Sequence, residues 1–148
     1  MRLAFDLDNT LIRCGHAFPL EMPQRRILAR LLGSEPLREG TQELVKHCRQ
    51  RGWEVWVYTT SYRSVWRIQR LFWLHGIRLY GVVNQQQHDR EARARCTKHP
   101  PSFGIDLLID ASEGVRIEDE RHGFRVLVVA PEDANWTEKV RAALKKKK

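Results

Sequence analysis

Short apolar segments alternate with helical patterns along the whole chain, and this alternation limits the fold more than any other feature of the sequence. The apolar segments are residues 2–7, 53–58, 79–84, 105–110 and 124–129, and the helical patterns are residues 23–32, 41–51, 61–75, 112–122 and 135–144. Strands buried on both faces of a parallel sheet have continuous apolar runs, and helices connect them. The order therefore predicts an α/β, three-layer, Rossmann-like fold, with a five-stranded, mainly parallel sheet and helices on both faces. Residues 85–96 are polar and weakly helical, and the pattern leaves their structure open.

The length of 148 residues and the 42% hydrophobic composition are typical of one domain with its own core. No linker is long enough to divide residues 1–148, and the lysine run at 145–148 is expected to be disordered. Cys14, Cys48 and Cys96 form no CxxC pair, which favours a reducing compartment. No leader or membrane-length apolar stretch is present, so we expect a cytoplasmic protein without a membrane partner.

The formal net charge of +8 raises the question of nucleic-acid binding. The terminal lysine run contributes part of this charge, and the remainder is an excess of arginine spread along the chain, so a generally solvated surface is the favoured interpretation. One helix has a basic stripe beside two tryptophans: Arg63, Arg67 and Arg70 with Trp66 and Trp73. This pattern fits either a base-stacking face or the solvated side of a helix with aromatic borders, and the second is favoured.

Polar side chains stand where four of the predicted strands end. They are Asp6 and Asp8, Thr59 and Thr60, Asn84, and Asp110. Ligands in such sheets bind outside the carboxyl ends of the strands. The three aspartates would form an acidic cleft there, and an oxygen-only ligand set suits Mg²⁺. Lys98 precedes the fourth strand and would supply a positive charge at the same edge.

These positions resemble the four motifs of the haloacid dehalogenase (HAD) superfamily of phosphohydrolases and phosphotransferases, over nearly the full length of the chain. The first motif, Asp-x-Asp-x-Thr, matches Asp6-Leu-Asp8-Asn-Thr10. Thr59 matches the second motif, and Lys98 is the best match to the third, with Arg93 and Arg95 as nearby competitors. The fourth motif matches Asp110.

The resemblance implies a role for each matched residue. Asp6 would be the nucleophile that becomes an aspartyl phosphate, and Asp8 the general acid and base. Thr59 and Lys98 would bind the phosphoryl group, with Thr60 beside them, while Thr10 would support the turn. Asp6, the main-chain carbonyl of Asp8, and Asp110 would hold Mg²⁺.

The fourth motif of this chain departs from the commonest form of the family, which has two adjacent acids. Here Ala111 follows Asp110, and the next acid is Glu113, which would act on the metal through a water. Weakened metal binding is the consequence to test. The histidines at 16, 75, 88, 99 and 122 have no metal-ligand spacing and are interpreted as surface or helix-end residues.

Only about fifty residues separate Asp8 from Thr59, which leaves little chain for the cap domain that selects substrates in this family. A minimal cap is therefore expected, with residues 11–20 as a flap and residues 23–32 as a lid. The leading hypothesis is an Mg²⁺-dependent phosphomonoester phosphatase acting on a phosphorylated small molecule or an exposed phosphate of a larger substrate. The alternatives are a nucleic-acid 3′-phosphatase, resembling the phosphatase part of polynucleotide kinases, and a catalytically weak or inactive binding protein. The sequence carries no signal for oligomeric state.

Overall fold

The computed structural model describes residues 1–146. Its strands are β1 (Arg2–Phe5), β2 (Leu20–Glu21), β3 (Leu37–Arg38), β4 (Glu54–Tyr58), β5 (Gly81–Val83), β6 (Leu107–Asp110) and β7 (Val126–Val128). Its α-helices are α1 (Arg26–Leu31), α2 (Thr41–Gln50), α3 (Val65–Leu74), α4 (Gln85–Glu91), α5 (Glu113–His122) and α6 (Trp136–Lys145), and a 3₁₀ helix covers Pro100–Phe103.

Five of the strands form one sheet in the order β5-β4-β1-β6-β7, and every neighbouring pair is parallel. The first strand is central, with Phe5 opposite Val57 of β4 and opposite Ile109 of β6. This confirms the predicted α/β, Rossmann-like fold. It also resolves residues 85–96, where α4 ends at Glu91 and an irregular loop follows.

Successive side chains of a strand point to opposite faces of the sheet, so the core has two layers, one on each face. Leu3 and Phe5 of β1 pack with α2, α3 and α6, whereas Ala4 faces the opposite side with Val115 of α5. Helices therefore cover both faces of the sheet. Because the central strands are buried on both faces, their apolar runs are continuous, and this is why they are recognisable in the sequence.

A small two-stranded antiparallel sheet of β2 and β3 was not predicted. Its two strands flank α1, which packs against α3. We call residues 20–38, which include the expected lid, the cap segment. Arg38 of β3 is buried and donates hydrogen bonds to the carbonyl oxygens of Ala130 (3.0 Å), Pro131 (3.1 Å) and Asp133 (2.9 Å). These bonds attach the two-stranded sheet to the loop that follows β7. Two-residue strands have too little alternation for a sequence pattern to reveal them.

Residues 145–148 were expected to be disordered, and of these α6 includes Lys145, with Lys146 as its C-cap. The helix continues because lysine is a good helix former and favours the carboxyl end of a helix. Residues 147 and 148 lie outside the described residues. Across residues 1–146, no helix is both long enough and apolar enough to cross a membrane.

Candidate active site

The chain makes a tight turn directly after β1. The amide groups of Thr10 (3.3 Å), Leu11 (2.9 Å) and Ile12 (3.0 Å) all donate to the carbonyl oxygen of Leu7. Asn9 occupies the left-handed region at φ 61°, which asparagine tolerates better than most residues. The turn interrupts the strand alternation, and Asp6 and Asp8 consequently line the same cavity.

Asp6 belongs to a buried cluster of charges. The Lys98 ammonium donates to Oδ1 of Asp6 and to Oδ2 of Asp110, both at 2.6 Å, and the Thr10 hydroxyl donates to Oδ2 of Asp6 at 3.0 Å. The main-chain N–H of Ser112 donates to the other oxygen of Asp110 at 2.9 Å. Lys98 and Asp110 are each only 2% exposed. One lysine thus bridges two carboxylates from neighbouring strands, with a net formal charge of one negative unit among the three groups.

The electrostatics of this cluster follow from burial and mutual charge. Burial raises the pKa of Asp6, and the negative charge of Asp110 raises it too, against the opposing effect of Lys98. Burial by itself would lower the pKa of Lys98, but the two carboxylates more than offset this, so its pKa is raised and the lysine stays charged. The cluster therefore keeps a fixed cation against the Asp6 carboxyl group.

The loop that carries Lys98 has no regular structure, yet buried side chains hold it in place. The Tyr58 hydroxyl accepts the amide N–H of His99 at 2.9 Å and contacts the Nδ1 atom of His88 at 2.5 Å. The Nε2 atom of His88 donates to the carbonyl oxygen of Cys96 at 2.9 Å, and Glu118 accepts the amide of Thr97 at 2.7 Å. The competing Arg93 and Arg95 are exposed. Tyr58 and His88 thus position the lysine loop.

The interpretation of His88 as a surface or helix-end residue needs correction, whereas His75 does lie at a helix end, as expected. His88 is 6% exposed and belongs to the lysine loop network. His75 does cap the carboxyl end of α3, but it is fully buried, where burial lowers its pKa. Both rings find hydrogen-bonding partners inside the fold, which is the usual condition for burying a polar group. His16 and His122 are exposed, as expected.

Arg63 was assigned to a solvated stripe, but its guanidinium contacts the active-site turn. It lies 3.0 Å from Oδ1 of Asp8 and 3.6 Å from Oε1 of Glu35 in the cap segment. Asn84, at the end of β5, donates to the Arg63 carbonyl oxygen at 3.0 Å. Asp8 is therefore linked to the cap through one arginine. The one sequence signal that could have indicated a role for Arg63 in the site was its position four residues after Thr59.

Thr59 is buried at the end of β4, beside β1, and its hydroxyl accepts the amide N–H of Ser61 at 3.1 Å. Thr60 is exposed next to it. Both residues lie at the carboxyl edge of the sheet, as predicted. In the described part of the chain, neither side chain is hydrogen-bonded to Asp6, Lys98 or Asp110.

A cavity of about 420 Å³ opens at this edge and is lined by Asp6, Asp8, Asp110 and Glu113. Its oxygen-only donors and the unbalanced negative charge of the buried cluster fit a hard divalent cation such as Mg²⁺. Within residues 1–146, no group of three or more His, Cys, Asp or Glu side chains is arranged to hold a metal ion. The predicted ligand set is smaller than that, because it consists of two carboxylates and one main-chain carbonyl.

Comparison with known proteins supports the fold. The chain is similar to a crystal structure of a HAD-superfamily hydrolase, subfamily IA, variant 1, from Geobacter sulfurreducens, with a TM-score of 0.60 and 17% sequence identity. The match covers 97% of this chain and 95% of that chain. No family model matches the sequence, and a search of curated proteins finds no match. At this identity the likeness establishes the fold alone, and the chain has the fold of the HAD superfamily.

Proposed function

We propose that this chain, with its HAD-superfamily fold, is an Mg²⁺-dependent phosphomonoester phosphatase that works through an aspartyl phosphate on Asp6. The observation that carries the proposal is the buried cluster in which Lys98 bridges Asp6 and Asp110 at 2.6 Å. A nucleophilic carboxylate and a phosphoryl group repel each other, and a fixed buried cation between them reduces that repulsion.

Asp6 attacks phosphorus through one carboxylate oxygen, and the bond between phosphorus and the leaving oxygen breaks. Asp8 donates a proton to the leaving oxygen, and then takes a proton from the water that hydrolyses the aspartyl phosphate. The turn at Asn9 supports this division of work, because it directs two aspartates, two residues apart, at one cavity. Thr10 donates to Asp6 and keeps its carboxylate oriented.

Lys98 has one further N–H group beyond the two that contact the carboxylates, and it binds a phosphoryl oxygen. Thr59, with Thr60 beside it, binds another phosphoryl oxygen. Arg63 orients Asp8 through their contact at 3.0 Å, and its second guanidinium nitrogen lies 3.6 Å from Glu35 in the cap segment. The leaving group of the substrate, which Asp8 protonates, therefore contacts the cap segment beside Arg63.

Asp6, Asp110 and the main-chain carbonyl of Asp8 would hold Mg²⁺, with Glu113 acting through a water. When bound, the ion supplies charge neutralisation to the phosphoryl oxygens. The placement of Asp110 and Glu113 on the same cavity supports this assignment despite Ala111 between them. The same placement argues against the inactive binding protein, and the turnover assay below distinguishes the two. The substrate is a phosphorylated small molecule or an exposed phosphate, in a cytoplasmic location.

The test is phosphate release with Mg²⁺ from a panel of sugar phosphates, nucleotides, phosphopeptides and 3′-phosphorylated oligonucleotides. We expect turnover from the wild-type protein and loss of turnover in Asp6→Asn and Asp8→Asn. Asp89→Asn, an exposed aspartate on α4, is the matched control and keeps full activity. Unchanged turnover in Asp6→Asn refutes the assignment of the nucleophile, and no release from the whole panel refutes the proposed function.

A further inference from the structure

A wide groove runs along α3, near the amino ends of β4 and β5 and therefore away from the carboxyl-edge cavity. It encloses about 1370 Å³. Four aromatic residues line it: Trp53, Trp66, Trp73 and Tyr80. We call this surface the α3 groove.

The aromatic rings of the α3 groove are unusually accessible. Trp66 is 66% exposed, Trp73 is 46% exposed and Tyr80 is 63% exposed. A contiguous patch of exposed large apolar side chains often marks a binding surface. Leu28 of α1 and Leu32, its C-cap, extend the apolar lining on one side.

The groove is also cationic. Arg49, Arg70 and Arg78 line it, and the Arg70 guanidinium lies 4.8 Å from the centre of the Trp66 ring system. Among the described residues that line the groove, Glu54 is the single acid, and it is paired with Arg2 at 2.5 Å. Because the arginines outnumber the single paired acid, the groove fits a ligand with several negative charges, a polyanion. A second copy of this chain would bring the same arginines against each other, which opposes self-association through this face.

We propose that the α3 groove binds single-stranded nucleic acid. Single strands combine phosphates, which attract arginine, with flat bases, which stack on aromatic rings, and the groove offers both groups side by side. An acidic peptide would use the arginines but would leave the exposed aromatic side chains without a stacking partner. The formal net charge of +8 strengthens the attraction of phosphates over a longer range.

A cationic path leads from the groove to the carboxyl edge of the sheet. A small cavity of about 40 Å³, lined by Arg63, Arg67 and Arg70 together with Glu35, lies between the two regions. It shares Arg70 with the α3 groove, and Arg63 contacts Asp8 at 3.0 Å. A strand held in the groove can therefore extend its phosphates towards the active-site turn. The binding itself does not depend on the proposed phosphatase activity.

Fluorescence anisotropy of a short fluorescein-labelled oligothymidine tests the proposal. We expect saturable binding that weakens as salt rises from about 50 mM to about 200 mM. Trp66→Leu is expected to weaken binding by about 5-fold or more, since base stacking on that ring is lost. Arg70→Gln weakens binding and reduces its salt dependence. Arg121→Gln, an exposed arginine of α5 at the opposite edge of the sheet, is the matched control and keeps the wild-type affinity.

Several outcomes would overturn the proposal. The first is that the oligonucleotide does not bind at low salt, and the second is that Arg70→Gln and Arg121→Gln change its affinity equally. The third is that Trp66→Leu binds it with unchanged affinity. The fourth is that polyglutamate binds as tightly as the oligonucleotide and that Trp66→Leu weakens both equally. Circular dichroism confirms that each variant is folded. Asp6→Asn is expected to bind the oligonucleotide normally, and Trp66→Leu to release phosphate from small substrates normally. Failure of the groove and failure of the phosphatase assignment are thus separate results.

Discussion

Replacing Lys98 with methionine tests the buried cluster most directly. Methionine keeps a side chain of similar length but removes the charge between Asp6 and Asp110. Each lysine–carboxylate contact of 2.6 Å corresponds to about 6 kcal/mol of attraction at an effective dielectric constant of about 20, before desolvation is subtracted. Desolvation of the three groups cancels much of this, and removing one partner of a buried pair typically costs about 3–5 kcal/mol. We expect a loss in the free energy of unfolding in that range, towards its lower end where Asp6 takes up a proton.

The assay is urea unfolding at neutral pH followed by circular dichroism. The double variant Lys98→Met with Asp110→Asn is expected to recover about 1–2 kcal/mol relative to the single variant, since a neutral amide no longer repels Asp6. Lys139→Met is the matched control, because Lys139 pairs with Asp133 while its own side chain is 57% exposed. Surface pairs contribute up to about 1 kcal/mol. A loss in Lys98→Met no greater than that of the control, or a double variant no more stable than the single one, would refute the reasoning.

The remaining predictions concern three other parts of the molecule. Arg63→Met is expected to lower turnover by up to about 100-fold, because the general acid is misplaced. The same variant is expected to change the free energy of unfolding by less than about 1 kcal/mol, because the arginine is partly exposed. A loss of turnover that is accompanied by a larger loss in the free energy of unfolding would contradict this. Burial lowers the pKa of His75, so the unfolded chain binds a proton before the folded one as pH falls below about 6.5, and the contribution of His75 to stability falls with acidification. Relative to His75→Gln, the urea midpoint of the wild-type protein is therefore expected to decrease between about pH 7 and about pH 5, and equal changes in the two proteins would contradict this. Iodoacetamide is expected to modify the exposed Cys14 first, whereas Cys48, whose pKa burial raises to about 11, reacts only after unfolding, as peptide mass spectrometry would show; early modification of Cys48 would contradict its burial.

The sequence determined the architecture of this protein because its signal is local and repeated. Buried parallel strands need continuous apolar runs and their crossovers need amphipathic helices, so the order of elements could be read residue by residue. The ends of the strands then indicated which polar residues share one edge of the sheet. Asp6, Asp8, Thr59 and Asp110 were identified in this way, and the resemblance of their motifs to those of the HAD superfamily then indicated the family fold.

Tertiary structure alone decided which of these residues touch one another. Lys98 stands in a loop without periodicity and reaches an aspartate 92 positions away, so no local pattern distinguishes it from the neighbouring Arg93 and Arg95. The same holds for Arg63, whose contact with Asp8 spans 55 positions, and for the buried His88. Periodicity records which face of an element is apolar, whereas a contact between polar side chains depends on register and loop geometry. Register and loop geometry are fixed only when the strands pair into the sheet and the loops pack against its edge.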